Sequence, residues 1–195
     1  KVVDADDLLA RMTAMAAREV RVRDPENTLD AVEVAERAGK IGAGAVKFYL
    51  LRVKPTQDIH FDPKESISFD GFTGPYCQYA YARICGIIRK AQDRGIDADK
   101  GSFDSLGNLE ERALAQQFIR LPEAVERAAR EFNPSFVAAY VFNTAKLFNQ
   151  FYNKHSVINA DNPALQNDRL ALTRATAQVL KKGLELLNIE VLDRM

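Results

Sequence analysis

"FTGPYCQYAYARICGIIRK", Phe72 to Lys90, gathers tyrosines and cations into one short run of a chain whose 27 Lys and Arg balance 27 Asp and Glu. Laid on a helix at about 100° per residue, Tyr79, Arg83, Lys90 and Arg94 fall within roughly 60° of Tyr76. Cys77, Tyr81, Ile84 and Ile88 make a neighbouring apolar stripe with the spacing of a core-facing seam. The run therefore predicts a helix with one apolar face and one face of flat rings and cations. That second face has two readings. Tyrosines stack on unpaired bases while Arg and Lys neutralise phosphates. Alternatively, Tyr76 and Tyr79 edge the core and Arg83 sits in a structural ion pair.

Outward from this run the sequence reads as helix almost throughout. Asp4 is the predicted cap of a first helix, with Asp6 and Asp7 in its opening turn. Thr28 is the predicted cap of the next, with Leu29, Val32 and Ala35 at helical spacing. In "GKIGAGAVKFYLLRV" a stripe of Val46, Tyr49, Leu50 and Val53 runs up to Pro55. "IHFDPKESISFDGFTGP" interrupts the helices with loop chemistry, and "RGIDADKGSFDSLGN" reads as a linker or exposed loop. Asn108 and Glu111 form a capping-box pattern. Pro122, Pro134 and Pro163 are each placed at a first helical position, giving helices over about 122–131, 134–153 and 163–187. Asn188 is the predicted left-handed stop. Strand-like alternation is nearly absent. The expectation is an all-α protein, a helical bundle preceded by a smaller helical segment with a loop-rich insertion.

Composition narrows the function classes. At 195 residues the chain can bury a real core. No apolar run approaches the roughly 20 residues needed to span a bilayer. Zero net charge argues against indiscriminate polyanion binding, so any nucleic-acid role must rest on a local patch. Cys77 and Cys85 stand about 12 Å apart along one helix, beyond the roughly 7 Å a disulfide tolerates. Free thiols suit a reducing cytosol.

No complete active site is visible. Gly39, Gly42 and Gly44 lack the strand before them and the Gly-Lys-Ser/Thr after them that a phosphate loop needs, and read as close helix packing. His60 and His155 stand without a partner at a suggestive spacing, and no metal cluster is present in the pattern. In "PSFVAAYVFNTAKLFNQFYNK", Phe136, Tyr140, Leu147 and Phe151 form one core stripe, with Val137, Val141, Phe148 and Tyr152 beside it. The polar side of that helix holds Asn143, Lys146, Asn149, Gln150, Asn153 and Lys154. It suits a phosphate backbone and base edges, and equally a plain solvated face.

The stretch from Ile41 to Lys90, and above all the Gly-Pro-Tyr-x-Gln-Tyr-Ala-x-x-Arg run from Gly74 to Arg83, resembles the arginyl-tRNA synthetases. "DRLALTRATAQVLKKGLELLNIEVLDRM" is similar to that family's closing helix and terminal Arg-Met, and the resemblance covers essentially the whole chain. It disfavours a related class I synthetase of other specificity. It implies residues 1–73 as the end of a catalytic domain and 74–195 as an anticodon-binding bundle of the class Ia type. "KVVDADDLLARM" looks like the sequence that follows the family's KMSKS-type loop, which places the catalytic motifs upstream of Lys1 and implies a fragment with no catalytic residue. The implied parent charges tRNA(Arg) with arginine through an adenylate, using ATP with Mg2+; no cofactor is expected in this part. A cytoplasmic monomer is the family expectation.

The resemblance also implies a tRNA-binding set. Tyr76, Tyr79 and Arg83 belong to it from the Tyr/Arg helix, and Phe69, Asp70 and Gly71 from the loop before. Phe151, Tyr152 and Met195 complete it, packing around one flipped anticodon base. Lys90 and Lys146 join the set from the chemistry of their helix faces alone. Tyr81 stands where many members have histidine, and Asn188 where most have glycine. The competing expectation is a helical scaffold whose aromatic face docks a partner helix, with an exposed apolar patch and no RNA affinity.

Overall fold

The computed structural model of the protein describes residues 4–24, 26 and 28–195, so Lys1 to Val3 of the opening run lie outside it. The chain is all-α. Its helices are α1 (Ala5–Val22), α2 (Ala31–Leu51), the short α3 (Pro63–Ser66), α4 (Gly74–Asp93), α5 (Leu109–Phe118), α6 (Leu121–Arg130), α7 (Ser135–Lys154) and α8 (Pro163–Leu186). A 3-10 turn, Ala98–Lys100, lies between α4 and α5.

Caps explain most of the boundaries. The Asp4 carboxylate accepts from the Asp6 amide at the start of α1. Asp30, and not Thr28, caps α2, because Asp30 and Glu33 supply both halves of a reciprocal capping box. Thr28 instead gives its amide and hydroxyl to the Asp24 carboxylate, closing the α1–α2 turn. This shift turns Val32 and Ala35 outward, and Val32 is 74% exposed. Leu50 likewise leaves the expected stripe, of which Val46 and Tyr49 are buried, and Ile41, Ala45 and Phe48 join them. The Asn108–Glu111 box at α5 stands as expected. Pro163 opens α8 behind an Asn162 cap. Pro122 is the second residue of α6 and Pro134 precedes α7 by one. Both sit where a turn of helical backbone leads in without an extended cap, a one-residue difference at a frayed boundary.

At the end of α8, Asn188 takes φ 55°. The Ile189 amide reaches back to the Leu184 carbonyl and the Asn188 amide to that of Glu185, both at 2.9 Å. This is the Schellman closure. It directs the last residues back across α4 and α2 as a strap.

Two apolar clusters organise the chain. The first joins α1 and α2 through Met12, Ala16, Val20, Val34, Ile41 and Ala45, and takes in Ile67 and Leu192. The second is the bundle of α4 to α8 around Phe148, Phe151, Leu180 and Leu184, with Phe48 reaching in from α2. Glycine lets the helices meet. A Cβ on Gly42 would stand 2.8 Å from the Thr13 backbone nitrogen of α1, and one on Gly44 would stand 2.7 Å from the Gln78 side chain of α4. Gly42 and Gly44 therefore serve close packing as expected, whereas Gly39 does not, since a Cβ there would meet nothing within 4 Å.

In α4, Cys77, Tyr81 and Ile84 are buried as expected, and Gln78, Ala80 and Ile87 join them. The buried arc is wider than one stripe because α2, α7 and α8 all pack on this helix. Both cysteines are free. Burial pushes the Cys77 thiol strongly up, and burial also leads the rise at half-buried Cys85. The Gly/Asp/Ser stretch before α5 is a docked loop, not a linker. The buried Asp168 carboxylate accepts the amides of Ser102, Phe103 and Ser105 at 2.8–2.9 Å, and a Cβ on Gly101 would stand 2.8 Å from that of Ala171.

Candidate functional site

Where the α1–α2 turn, the outward face of α4, the end of α7 and the chain's last residues meet, they enclose an open cleft of about 510 Å³. Tyr79, Arg83, Lys90, Tyr152 and Met195 all line it, so five residues of the expected set converge from three separate parts of the chain. Arg23, Arg37, Arg89 and Arg194 line it as well. Among the described residues the one acidic side chain on the wall is Asp24, which accepts from Thr28 and, at 2.9 Å, from the Leu29 amide. The Thr28 hydroxyl first, and the Leu29 amide after it, hold the Asp24 carboxyl below its usual value.

Four of the six cations on this wall have no acid partner among the described residues. Arg23 pairs with Glu19 at 2.6 Å and Arg37 loosely with Glu33 at 3.6 Å. Among the described residues no carboxylate lies within 4.0 Å of the side-chain nitrogens of Arg83, Arg89, Lys90 or Arg194. Net charge is zero over the chain, yet this wall is strongly positive. Local excess of this kind focuses potential on an anion.

Stacking holds the rings in place. The Arg23 guanidinium lies over Phe69 at 3.9 Å, Phe69 meets Tyr79 edge to face at 6.0 Å, and Arg83 lies over Tyr79 at 4.7 Å. Arg83 also donates to Asn149 Oδ1 at 2.9 Å. It is therefore not in the ion pair that the structural reading expected. Tyr152, 37% exposed, stacks on Phe148 with ring centres 6.0 Å apart and planes 12° apart.

Other expected residues are elsewhere. Tyr76 packs on Phe142 at 5.3 Å, and its hydroxyl accepts from Asn149 Nδ2 at 2.9 Å. It supports the wall from behind, as the core-edge reading had it. Phe151 is fully buried against Phe148, on which Tyr152 also stacks, and cannot touch a ligand directly. Phe69 backs Tyr79, while Asp70 and Gly71 lie exposed on the preceding loop, Gly71 with φ 85°. Lys146 is exposed on α7 outside the cleft. Lys154 pairs with Glu110, so no unbroken strip joins Arg83 and Lys90 to both lysines.

His155 is not isolated: its Nε2 stands 3.0 Å from the same Glu110. His155 first, and Lys154 with it, bring the Glu110 carboxyl down to about 2.

Sequence reasoning missed Arg23 and Arg37, which only the α1–α2 turn brings to α4. Arg89 lies off the arc drawn from Tyr76, and Arg194 stood in the terminal Arg-Met without being assigned a role. Asn149 was visible only as part of a polar face, yet it joins Arg83 to Tyr76.

Comparison with known proteins shows what the chain as a whole is similar to. The chain is 40% identical to an arginine–tRNA ligase of Parabacteroides distasonis over all of its length and 33% of that protein's. It is 41% identical to one of Clostridium perfringens, covering 34% of it. It spans about a third of the length of these curated relatives. Among solved structures, an arginyl-tRNA synthetase of Thermus thermophilus superposes over the whole chain with a TM-score of 0.86 at 32% identity, with 32% of that protein covered. One of Plasmodium falciparum gives 0.85 at 23% identity and speaks to the fold alone. Residues 77–195, which carry α4 from its second turn through the strap, match the DALR anticodon binding domain. The chain belongs to that family.

Proposed function

We propose that this chain is the tRNA-binding carboxyl-terminal part of an arginine–tRNA ligase and that the cleft receives the anticodon loop of tRNA(Arg). The observation that carries this reading is the convergence of Tyr79, Tyr152 and Met195 with cations that lack acid partners. Rings accept an unstacked base on their faces, and the surrounding Arg and Lys take the phosphates on either side. Tyr76, Phe151 and Phe69 act from behind by fixing the rings. Asp70, Gly71 and Lys146 lie where a loop that overruns the cleft meets the protein. The scaffold alternative needs an exposed apolar patch, whereas the cleft presents charge.

In this reading residues 1–73 close a catalytic domain and 74–195 bind the RNA, although the cleft draws wall residues from both. Arginine, ATP and its Mg2+ belong to the upstream part of the parent, which transfers arginine to the tRNA. Among the described residues no group of three or more His, Cys, Asp or Glu could hold a metal. None of the described helices is long and apolar enough to cross a membrane. A cytoplasmic, monomeric parent is part of the same proposal.

Filter binding at low salt tests it. The chain is expected to retain arginine tRNA in preference to a tRNA of another specificity, with affinity falling as salt rises. Equal retention of both would remove base readout from the reading.

A further inference from the structure

One buried polar group is poorly explained by the core that surrounds it. Gln78 in α4 is fully buried, and its Nε2 donates both to the Lys40 carbonyl of α2 at 3.2 Å and to the Glu190 carbonyl of the strap at 2.8 Å. Its Oε1 is equally buried and has no hydrogen-bond partner among the described residues. A core selected for stability alone favours an apolar side chain of this volume, since an unpartnered buried oxygen is destabilising. The room for the amide comes from Gly44, where a Cβ would stand 2.7 Å from Nε2.

The amide joins two carbonyls that cannot bond to each other, because both only accept. One belongs to a rigid helix, the other to an irregular tail. The same tail is fastened at its base, where Lys47 Nζ donates to the Asn188 carbonyl at 2.6 Å. Near its end the Asp193 carbonyl accepts from Arg89 at 3.1 Å. The next residues, Arg194 and Met195, enter the cleft.

We infer that Gln78 is a positioning residue for nucleotide recognition: it anchors the strap to α2 and so sets where Arg194 and Met195 stand. The inference rests on the anticodon-loop reading for its functional consequence. The anchoring itself is independent of that reading.

Two measurements separate the parts. The first is carboxypeptidase release of Met195 and Arg194, followed by mass spectrometry. Release is expected to be several-fold faster in Gln78→Met, and faster to a smaller degree in Lys47→Ala, a surface change that leaves the core intact. Unchanged release in both variants overturns the anchoring.

The second is the affinity of a fluorescent arginine-tRNA anticodon hairpin, measured with the unaltered chain, Gln78→Met, a chain cut back by Arg194 and Met195, and the two changes together. Each single change is expected to weaken binding about tenfold, and the combination no further, since both remove the same contribution. Multiplying losses show that Gln78 acts on something other than the strap and overturn the inference. If the unaltered chain ignores the hairpin, the anticodon reading fails, while the release rates still decide the anchoring.

Discussion

Charges are treated in opposite ways in two regions of the bundle. Beside the docked loop, Glu111 is fully buried and accepts from Arg169 at 2.8 Å and from the amides of Gly107 and Asn108 at 2.9 Å. Arg169 gives its Nη1 to the Ser156 carbonyl, and Asp168 takes three loop amides. Burial works against the charge on Glu111 and on Asp168, yet their hydrogen bonds outweigh it and both carboxyls stay below their usual range. In the cleft, Arg83, Arg89, Lys90 and Arg194 line the wall with no carboxylate within 4.0 Å among the described residues. A charge satisfied on every side builds structure. A charge left over is available to a ligand.

The contrast breaks most visibly at the loop. Arg169→Met leaves the Glu111 carboxylate buried without its cation, and urea unfolding is expected to show a loss of about 3–5 kcal/mol. Asp168→Ala frees three loop amides and is expected to cost about 1.5–3 kcal/mol by the same measurement, because these bonds are charge-assisted. Neither change is expected to alter hairpin affinity of the folded protein, which anisotropy at matched folded concentration checks.

At the cleft the expectation is reversed. Tyr152→Ala removes a stacking surface for one base, about 1–3 kcal/mol of binding, with a thermal midpoint close to that of the parent sequence. A midpoint that falls as far as in Asp168→Ala makes Tyr152 structural after all. Lys90→Ala is expected to weaken binding evenly across sequences and to flatten the slope of log affinity against log salt by about 0.7.

The smallest effect concerns Glu110, whose carboxyl is drawn down by His155 and Lys154. A folded-state value below the unfolded one contributes stability above the unfolded pKa, near 4.5, and loses it as pH falls toward about 2. Glu110→Gln is therefore expected to melt lower than the parent sequence at pH 7 and together with it near pH 2.

Much of this was legible in order along the chain. Periodicity gave the helices, and local chemistry gave the Asp4 cap, the Asn108–Glu111 box and the left-handed Asn188, because each depends on neighbours within a few residues. The tyrosines were half legible. Tyr76 and Tyr79 share one arc of α4, and only the packing of α7 decides that the first meets Phe142 while the second faces the cleft. Phe151 and Tyr152 are adjacent in sequence and opposite in exposure for the same reason. Arg23, Arg37 and the Glu110–His155 pair could not be read locally, because the turns that deliver them span many residues.

The two thiols on α4 supply a natural gauge of the same seam. Cys77 is sealed, whereas Cys85 is partly open and lies 3.8 Å from the Asp193 carboxylate of the strap. A thiol-specific dye is therefore expected to reach Cys85 ahead of Cys77, and its attachment rate to rise where the final residues are loosened.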